Sequence, residues 1–145
     1  MNPATLAVRA RLLDRSHADR SDFQILPTRY ALEHLLYWLS VSEHRDRFIL
    51  KGAMLFVTWV ADPFQPTRDL DLLGYGENDA EAIADTFRAI CAERVTDDSV
   101  TFDGDALQAA PIREKWNMVA CGCARRRRLP VRAFRSRSAS GLATP

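Results

Sequence analysis

The segment that most restricts the fold of this chain is residues 67–73, Thr-Arg-Asp-Leu-Asp-Leu-Leu. Because successive side chains of a β-strand point to opposite faces, a strand here places Asp69 and Asp71 on one face and leucines on the other. Two carboxylates on one face repel each other unless a cation lies between them. The segment therefore predicts a strand that carries a metal-binding pair.

A second local pattern lies upstream, where the run Phe-Ile-Leu-Lys-Gly-Ala at 48–53 indicates a short buried strand that ends in a glycine turn. Gly52 lets the backbone approach a phosphate closely, and a helix that begins at Ala53 offers free amides and a positive dipole end to an anion. Lys51 and Arg68 either add positive charge against a triphosphate or neutralise the acidic body of the protein. Since Mg²⁺ is commonly bound by one or two carboxylates together with substrate phosphates, the two patterns predict a metal-dependent phosphate site.

Two other metal sites that use paired aspartates do not fit. A calcium loop that starts at Asp69 needs an oxygen ligand at its fifth position and glutamate at its twelfth, but these are Leu73 and Ala80. A phosphatase of the Asp-x-Asp-x-Thr type needs a hydroxyl where Leu73 stands. A capping or solvated surface role of the two aspartates stays open on the residues alone.

Composition predicts one small soluble domain. The chain has 145 residues, of which 47% are hydrophobic and 27% charged. The longest apolar run, residues 53–61, is too short to span a bilayer, and the N-terminus has no secretory signal pattern. Three cysteines without C-x-x-C spacing predict neither a disulfide framework nor a zinc site, so we expect a cytoplasmic protein without a membrane partner.

Hydrophobic periodicity predicts an α+β domain, a mixed sheet flanked by helices. Helices are predicted over residues 4–18, from about Pro27 to 41, over 53–60, and from an Asn78 or Asp79 cap to about 93. Strands are predicted at 48–50, 68–73, 100–102 and 106–113, the last two around an Asp103-Gly104 turn.

Charge divides the chain into two parts. Residues 1–115 hold all 19 acidic residues and 13 basic ones, whereas residues 116–145 hold seven arginines and no acid. The second part has few large apolar residues. We therefore predict one domain over 1–115 and a disordered Arg/Ser-rich tail over 116–145, whose arginines could bind RNA phosphates.

The combination of residues 48–56, Trp59 and residues 66–72 resembles the AbiEii/AbiGii toxin family of nucleotidyltransferases, in the polymerase β-like superfamily. The resemblance covers roughly residues 20–115. It implies that Asp69 and Asp71 are catalytic Mg²⁺ ligands, and that nucleoside triphosphate is bound by Lys51, Gly52, Ala53 and Arg68. It also implies a tRNA or other RNA acceptor and a cognate antitoxin as partners.

One part of the family pattern is missing. The superfamily supplies a third carboxylate from a later strand, but Glu114 is the only acid after Asp105. We therefore expect an incomplete domain whose C-terminal part is truncated or translated out of frame, with little nucleotide transfer. The alternatives are a non-catalytic remnant that binds RNA or an antitoxin partner, and a degraded product without function.

Overall fold

The protein is an α+β domain in which two helices cover a five-stranded mixed sheet. In this computed structural model the described residues are 3–20, 22–55, 69–75, 79–93, 100–113, 116–123 and 127–135. The helices are α1 (Pro3–Asp19), α2 (Ile25–Val41) and α3 (Ala80–Ala92). The strands are β1 (Phe48–Lys51), β2 (Leu70–Gly74), β3 (Phe102–Arg113), β4 (Trp116–Cys123) and β5 (Arg127–Arg135).

The sheet has the order β1-β2-β5-β4-β3. β2 and β5 are parallel, and the other three neighbouring pairs are antiparallel. β5, the last strand in sequence, therefore lies at the centre of the sheet, between β2 and β4. The predicted fold class, a mixed sheet flanked by helices, is confirmed.

The hydrophobic core lies between the sheet and the helices α2 and α3. Leu70 and Leu72 of β2 are almost fully buried, as the alternation of leucine and aspartate predicts. Phe87 of α3 is fully buried and contacts the ring of Phe48 at a centroid distance of 5.6 Å. The cluster of buried residues also contains Leu32, Leu35, Trp38 and Leu39 of α2 and Ile83 and Ile90 of α3.

The predicted helices agree with the structure wherever residues are described. Pro27 lies in the first turn of α2, where its missing N–H costs no helical hydrogen bond. Asp79 caps α3, because its side chain accepts hydrogen bonds from the backbone N–H groups of Glu81 and Ala82. Residues 53–55 are helical as predicted, and residues 56–60 lie outside the described part of the chain.

Two predictions differ from the structure in β3. Residues 100–102 and 106–113 were expected as separate strands, but Phe102–Arg113 is a single strand. The Asp103-Gly104 pair forms a local irregularity in that strand instead of a turn, and the register against β4 shifts between Asp103 and Gln108. The side chain of Asp103 accepts hydrogen bonds from the backbone N–H groups of Asp105 and Ala106, which satisfies donors that the irregular ladder leaves out.

The predicted disorder from residue 116 onward also differs from the structure, because β4 and β5 lie there. The backbone of β5 pairs with β2 on one edge and with β4 on the other. Such a strand is stabilised by two hydrogen-bonded ladders, which a count of apolar residues does not reveal. Residues 136–145 lie outside the described part of the chain.

None of the helices in the described ranges is long and apolar enough to cross a membrane.

Candidate active site

The site is built at the point where β1 ends beside the start of β2. Lys51, the last residue of β1, is the antiparallel partner of Asp71 in β2. The next residue, Gly52, has a φ of 73°, a conformation that residues with a side chain rarely adopt. The chain therefore leaves the sheet at Gly52, and the β1–β2 ladder ends at Asp71.

Gly52 also lies directly against the carboxylate of Asp71. A Cβ atom at position 52 would be 2.5 Å from Oδ2 of Asp71, well inside contact distance. Two separate constraints, the backbone angle and the missing side chain, thus require glycine here. The glycine turn and the aspartate strand, which are far apart in sequence, are therefore in direct contact.

A helical turn follows the glycine. The carbonyl of Gly52 accepts a hydrogen bond from the N–H of Leu55 at 3.1 Å, and residues 53–55 are helical. Ala53 is half-buried and Met54 is 1% exposed, so this turn is anchored in the core. The first amides of a helical turn have no carbonyl partner within the turn, and they are the groups that phosphates bind at such positions.

Asp71 is in an unusual position for a carboxylate. The residue is half-buried, its neighbours Leu70 and Leu72 are buried, and its Oδ1 atom is removed from solvent. A carboxylate oxygen taken out of water needs hydrogen-bond donors or a cation to offset the lost solvation. This environment distinguishes Asp71 from the solvated acids of the helices.

Asp69 is half-buried and lies just before β2, not within it, which corrects the predicted start of that strand. The pairing with β1 ends at Asp71, and the pairing with β5 begins at Leu70 opposite Val131, so neither ladder includes Asp69. Arg68 lies outside the described residues. The structure thus brings Lys51, Gly52 and Asp71 together, with Asp69 two residues before Asp71.

The donor set fits a magnesium ion that is completed by phosphate oxygens. Among the described residues, no group of three or more His, Cys, Asp or Glu side chains could hold a metal ion. Two carboxylates two residues apart in sequence, one with a buried oxygen and a glycine packed against it, match the usual Mg²⁺ arrangement of one or two carboxylates with phosphates and water.

Sequence reasoning missed one neighbour of the site. In the parallel pairing of β2 with β5, the Cα partner of Asp71 is Arg132. The sequence predicts disorder over residues 116–145, and that prediction places no strand beside Asp71. The alternation of Leu129, Val131 and Ala133 with other residue types is a period-2 signal that could have indicated the strand.

Comparison with known proteins identifies the family. The solved structure of the MenT4 nucleotidyltransferase toxin from Mycobacterium tuberculosis H37Rv is similar, with a TM-score of 0.49 and 19% sequence identity; the match covers 90% of this chain and 43% of that one. The chain thus spans less than half of the length of that toxin. No curated protein sequence matches the chain. The family model described as nucleotidyl transferase AbiEii toxin, type IV toxin–antitoxin system, matches residues 34–132, more than half of the chain and all of the site described above. The chain therefore belongs to the AbiEii family of nucleotidyltransferase toxins.

Proposed function

We propose that this chain carries the nucleotide- and metal-binding part of a toxin that transfers a nucleotidyl group from a nucleoside triphosphate to an RNA acceptor. The observation that supports this most is the contact between Gly52 and Asp71 beside Lys51. It brings a backbone position without a side chain, a carboxylate with a buried oxygen and a lysine to the same edge of two paired strands. Family membership gives the reaction class.

In this proposal Asp69 and Asp71 hold Mg²⁺, which when bound offsets the charge of the triphosphate. The backbone amides of Gly52 and Ala53 bind phosphate oxygens, and the missing side chain of Gly52 allows the backbone to approach them. Lys51 offsets the negative charge that develops on the departing phosphates. Arg68 is assigned the same role by its position in the family pattern.

The reaction is a substitution at the α-phosphorus. An acceptor hydroxyl oxygen forms a bond to that phosphorus, the bond to the β-bridging oxygen breaks, and pyrophosphate leaves. The hydroxyl proton passes to solvent. Because the described residues supply only a pair of carboxylates here, we propose that the chain binds Mg–nucleotide weakly and turns it over slowly.

The test combines binding and transfer. Each of the four Mg–nucleoside triphosphates is titrated calorimetrically into the protein, and transfer of α-labelled nucleotide to RNA is followed in parallel. We expect weak binding of at least one nucleotide, a loss of that binding in Asp71→Asn, and unchanged binding in the exposed control Asp14→Asn. Absence of binding for all four would contradict the proposed site. Rapid transfer that Asp69→Ala abolishes would contradict slow turnover.

A second candidate is a non-catalytic protein that binds RNA or an antitoxin partner. It is favoured by the seven arginines of residues 116–145, a segment without acids. Deleting this segment is a poor test because it removes β4 and β5. Charge-neutral substitution of Arg125 and Arg126, which lie between those strands, leaves both strands in place. Lost RNA binding with nucleotide binding retained would favour this candidate.

A further inference from the structure

Asp71 lies on the face of the sheet that is turned away from the core. The two leucines beside it in β2 are buried in the core, so the alternation of the strand places Asp71 and Leu73 on the opposite face. Tyr75 follows on that same face. Its backbone N–H donates to the carbonyl of Arg47 at 2.8 Å, which continues the β1–β2 pairing by one residue and keeps the alternation.

Three large uncharged side chains lie beside the site on this face. Ile49 of β1 is the Cα partner of Leu73 and precedes Lys51 by two residues, so it shares their face. Side chains opposite each other on antiparallel strands have Cβ atoms about 5 Å apart, and an aromatic side chain reaches its diagonal neighbour. Ile49 is 48% exposed and Tyr75 is 44% exposed, whereas Leu73 is half-buried. We call Ile49, Leu73 and Tyr75 the apolar platform.

The proposed reaction has a direction relative to this platform. In the proposed function the leaving phosphates bind at the Gly52 turn, and β2 runs from that turn at Asp71 toward Tyr75. The attacking and leaving oxygens of a phosphoryl transfer lie roughly in line, on opposite sides of the phosphorus. A pyrophosphate that leaves toward Gly52 therefore requires the acceptor to approach from the side of the apolar platform.

The apolar platform suits the bases of an RNA strand better than its phosphates. It has no formal charge, and at the neighbouring site Asp69 and Asp71 outnumber Lys51 until Mg²⁺ is bound. Unpaired bases stack on exposed aromatic side chains, whereas the bases of a duplex are enclosed in their own stack. At about 3.3 Å per strand residue, Tyr75 lies about 13 Å from Asp71, roughly the length of four stacked nucleotides.

We propose that the apolar platform binds unpaired bases of the RNA acceptor, with the ring of Tyr75 as the stacking surface. The inference rests on the proposed function and adds which acceptors the site selects. An RNA end with several unpaired nucleotides reaches from the platform to Asp71, and a blunt duplex end does not offer its bases to the platform.

The experiment follows the fluorescence anisotropy of a labelled, unstructured oligoribonucleotide of about twelve nucleotides as the full chain is added in Mg²⁺. A blunt duplex of the same sequence is expected to bind more weakly. Tyr75→Ala should weaken single-strand binding by about five- to a hundredfold, the range for one lost stacked base, and Tyr75→Phe should stay within about twofold of the parent. Tyr37→Ala is the matched control, since Tyr37 is 53% exposed on α2.

Three results would each overturn the proposal: a duplex that binds the parent chain as tightly as the single strand, equal effects of Tyr75→Ala and Tyr37→Ala, or a loss in Tyr75→Phe as large as that in Tyr75→Ala. The first of these needs no variant and is independent of any folding defect. Calorimetric titration of Mg–nucleotide separates this inference from the proposed function. A chain that binds no nucleotide but binds single-stranded RNA through Tyr75 would contradict the proposed function alone.

Discussion

At the scale of single residues, the site depends on a glycine that no other residue can replace without strain. At position 52 the backbone angle and the 2.5 Å approach to Asp71 Oδ2 both exclude a side chain. Gly104 in β3 offers a contrast, because the atoms nearest to a Cβ there are 3.7 Å away. The same substitution at the two positions therefore separates a geometric requirement from the general effect of removing a glycine.

We predict that Gly52→Ala lowers the free energy of unfolding by about 1–3 kcal/mol, since a left-handed residue is strained and the new methyl group displaces Asp71. Gly104→Ala is expected to change it by less than about 1 kcal/mol, since alanine fits there and restricts the unfolded chain. Urea unfolding followed by circular dichroism measures both. Equal destabilisation of the two variants would contradict the role assigned to Gly52.

Some residues of the site could be assigned from the sequence, and one of their neighbours could not. Lys51, Gly52 and Asp71 could be assigned because a local pattern, a glycine turn followed by an Asp-x-Asp strand, carries the information. Arg132 could not be assigned, because its position beside Asp71 depends on a parallel pairing between strands about sixty residues apart in sequence. The alternation within residues 129–133 can indicate a strand, but nothing within either segment indicates which strand it pairs with or in which register.

At the scale of elements, the helices were the easiest to predict, because the spacing of apolar residues within one helix indicates it without reference to distant segments. Ile83, Phe87 and Ile90 of α3 recur at three- and four-residue intervals and all are buried. In α1, by contrast, Leu6 and Leu13 are exposed, because this helix packs mainly against α2. The strands of residues 102–135 were harder, because their stability comes from pairing with one another.

The cap of α3 gives a prediction at this scale. Asp79→Ala removes the acceptor for the N–H groups of Glu81 and Ala82, which lie 3.1 and 3.0 Å from its carboxylate. We expect a loss of about 1 kcal/mol in the free energy of unfolding, the usual value of an N-cap side chain. Asp79→Asn keeps a capping oxygen and should lie within a few tenths of a kcal/mol of the parent. Matching losses in the two variants would show that charge, not the cap, is responsible.

The core under β2 gives a second prediction. Leu72 is 1% exposed in the cluster that joins the sheet to α2 and α3, and Leu13 of α1 is 41% exposed. Leu72→Ala should lower the free energy of unfolding by about 2–5 kcal/mol, because it leaves a cavity beneath the site. Leu13→Ala should lower the free energy of unfolding by much less, since the removed atoms already contact water. Urea unfolding of both variants tests whether the buried leucine face of β2 stabilises the strand that carries Asp71.

At the scale of the whole molecule, the order of strands in the sheet differs from their order in sequence. Within the described residues, β1 and β2 come early in sequence and are joined to β3 and β4 only through β5, the last of the five strands. The family match extends through residue 132, so it includes most of β5. Strands from the acidic part of the chain and strands from the arginine-rich part therefore form one sheet, although the two compositions suggest a domain and a tail.

This topology predicts opposite outcomes for two truncations. Ending the chain after Arg135 keeps all five strands, so we expect a cooperative urea transition with a midpoint close to that of the full chain. Ending it after Cys123 removes β5, which exposes one edge of β2 and one edge of β4 and separates the sheet into two pairs. We expect that variant to lose the cooperative transition and to aggregate, because two-stranded pairs are marginal by themselves. If the chain ending at Cys123 unfolds cooperatively at the parent midpoint, residues 127–135 are not the strand that joins β2 to β4.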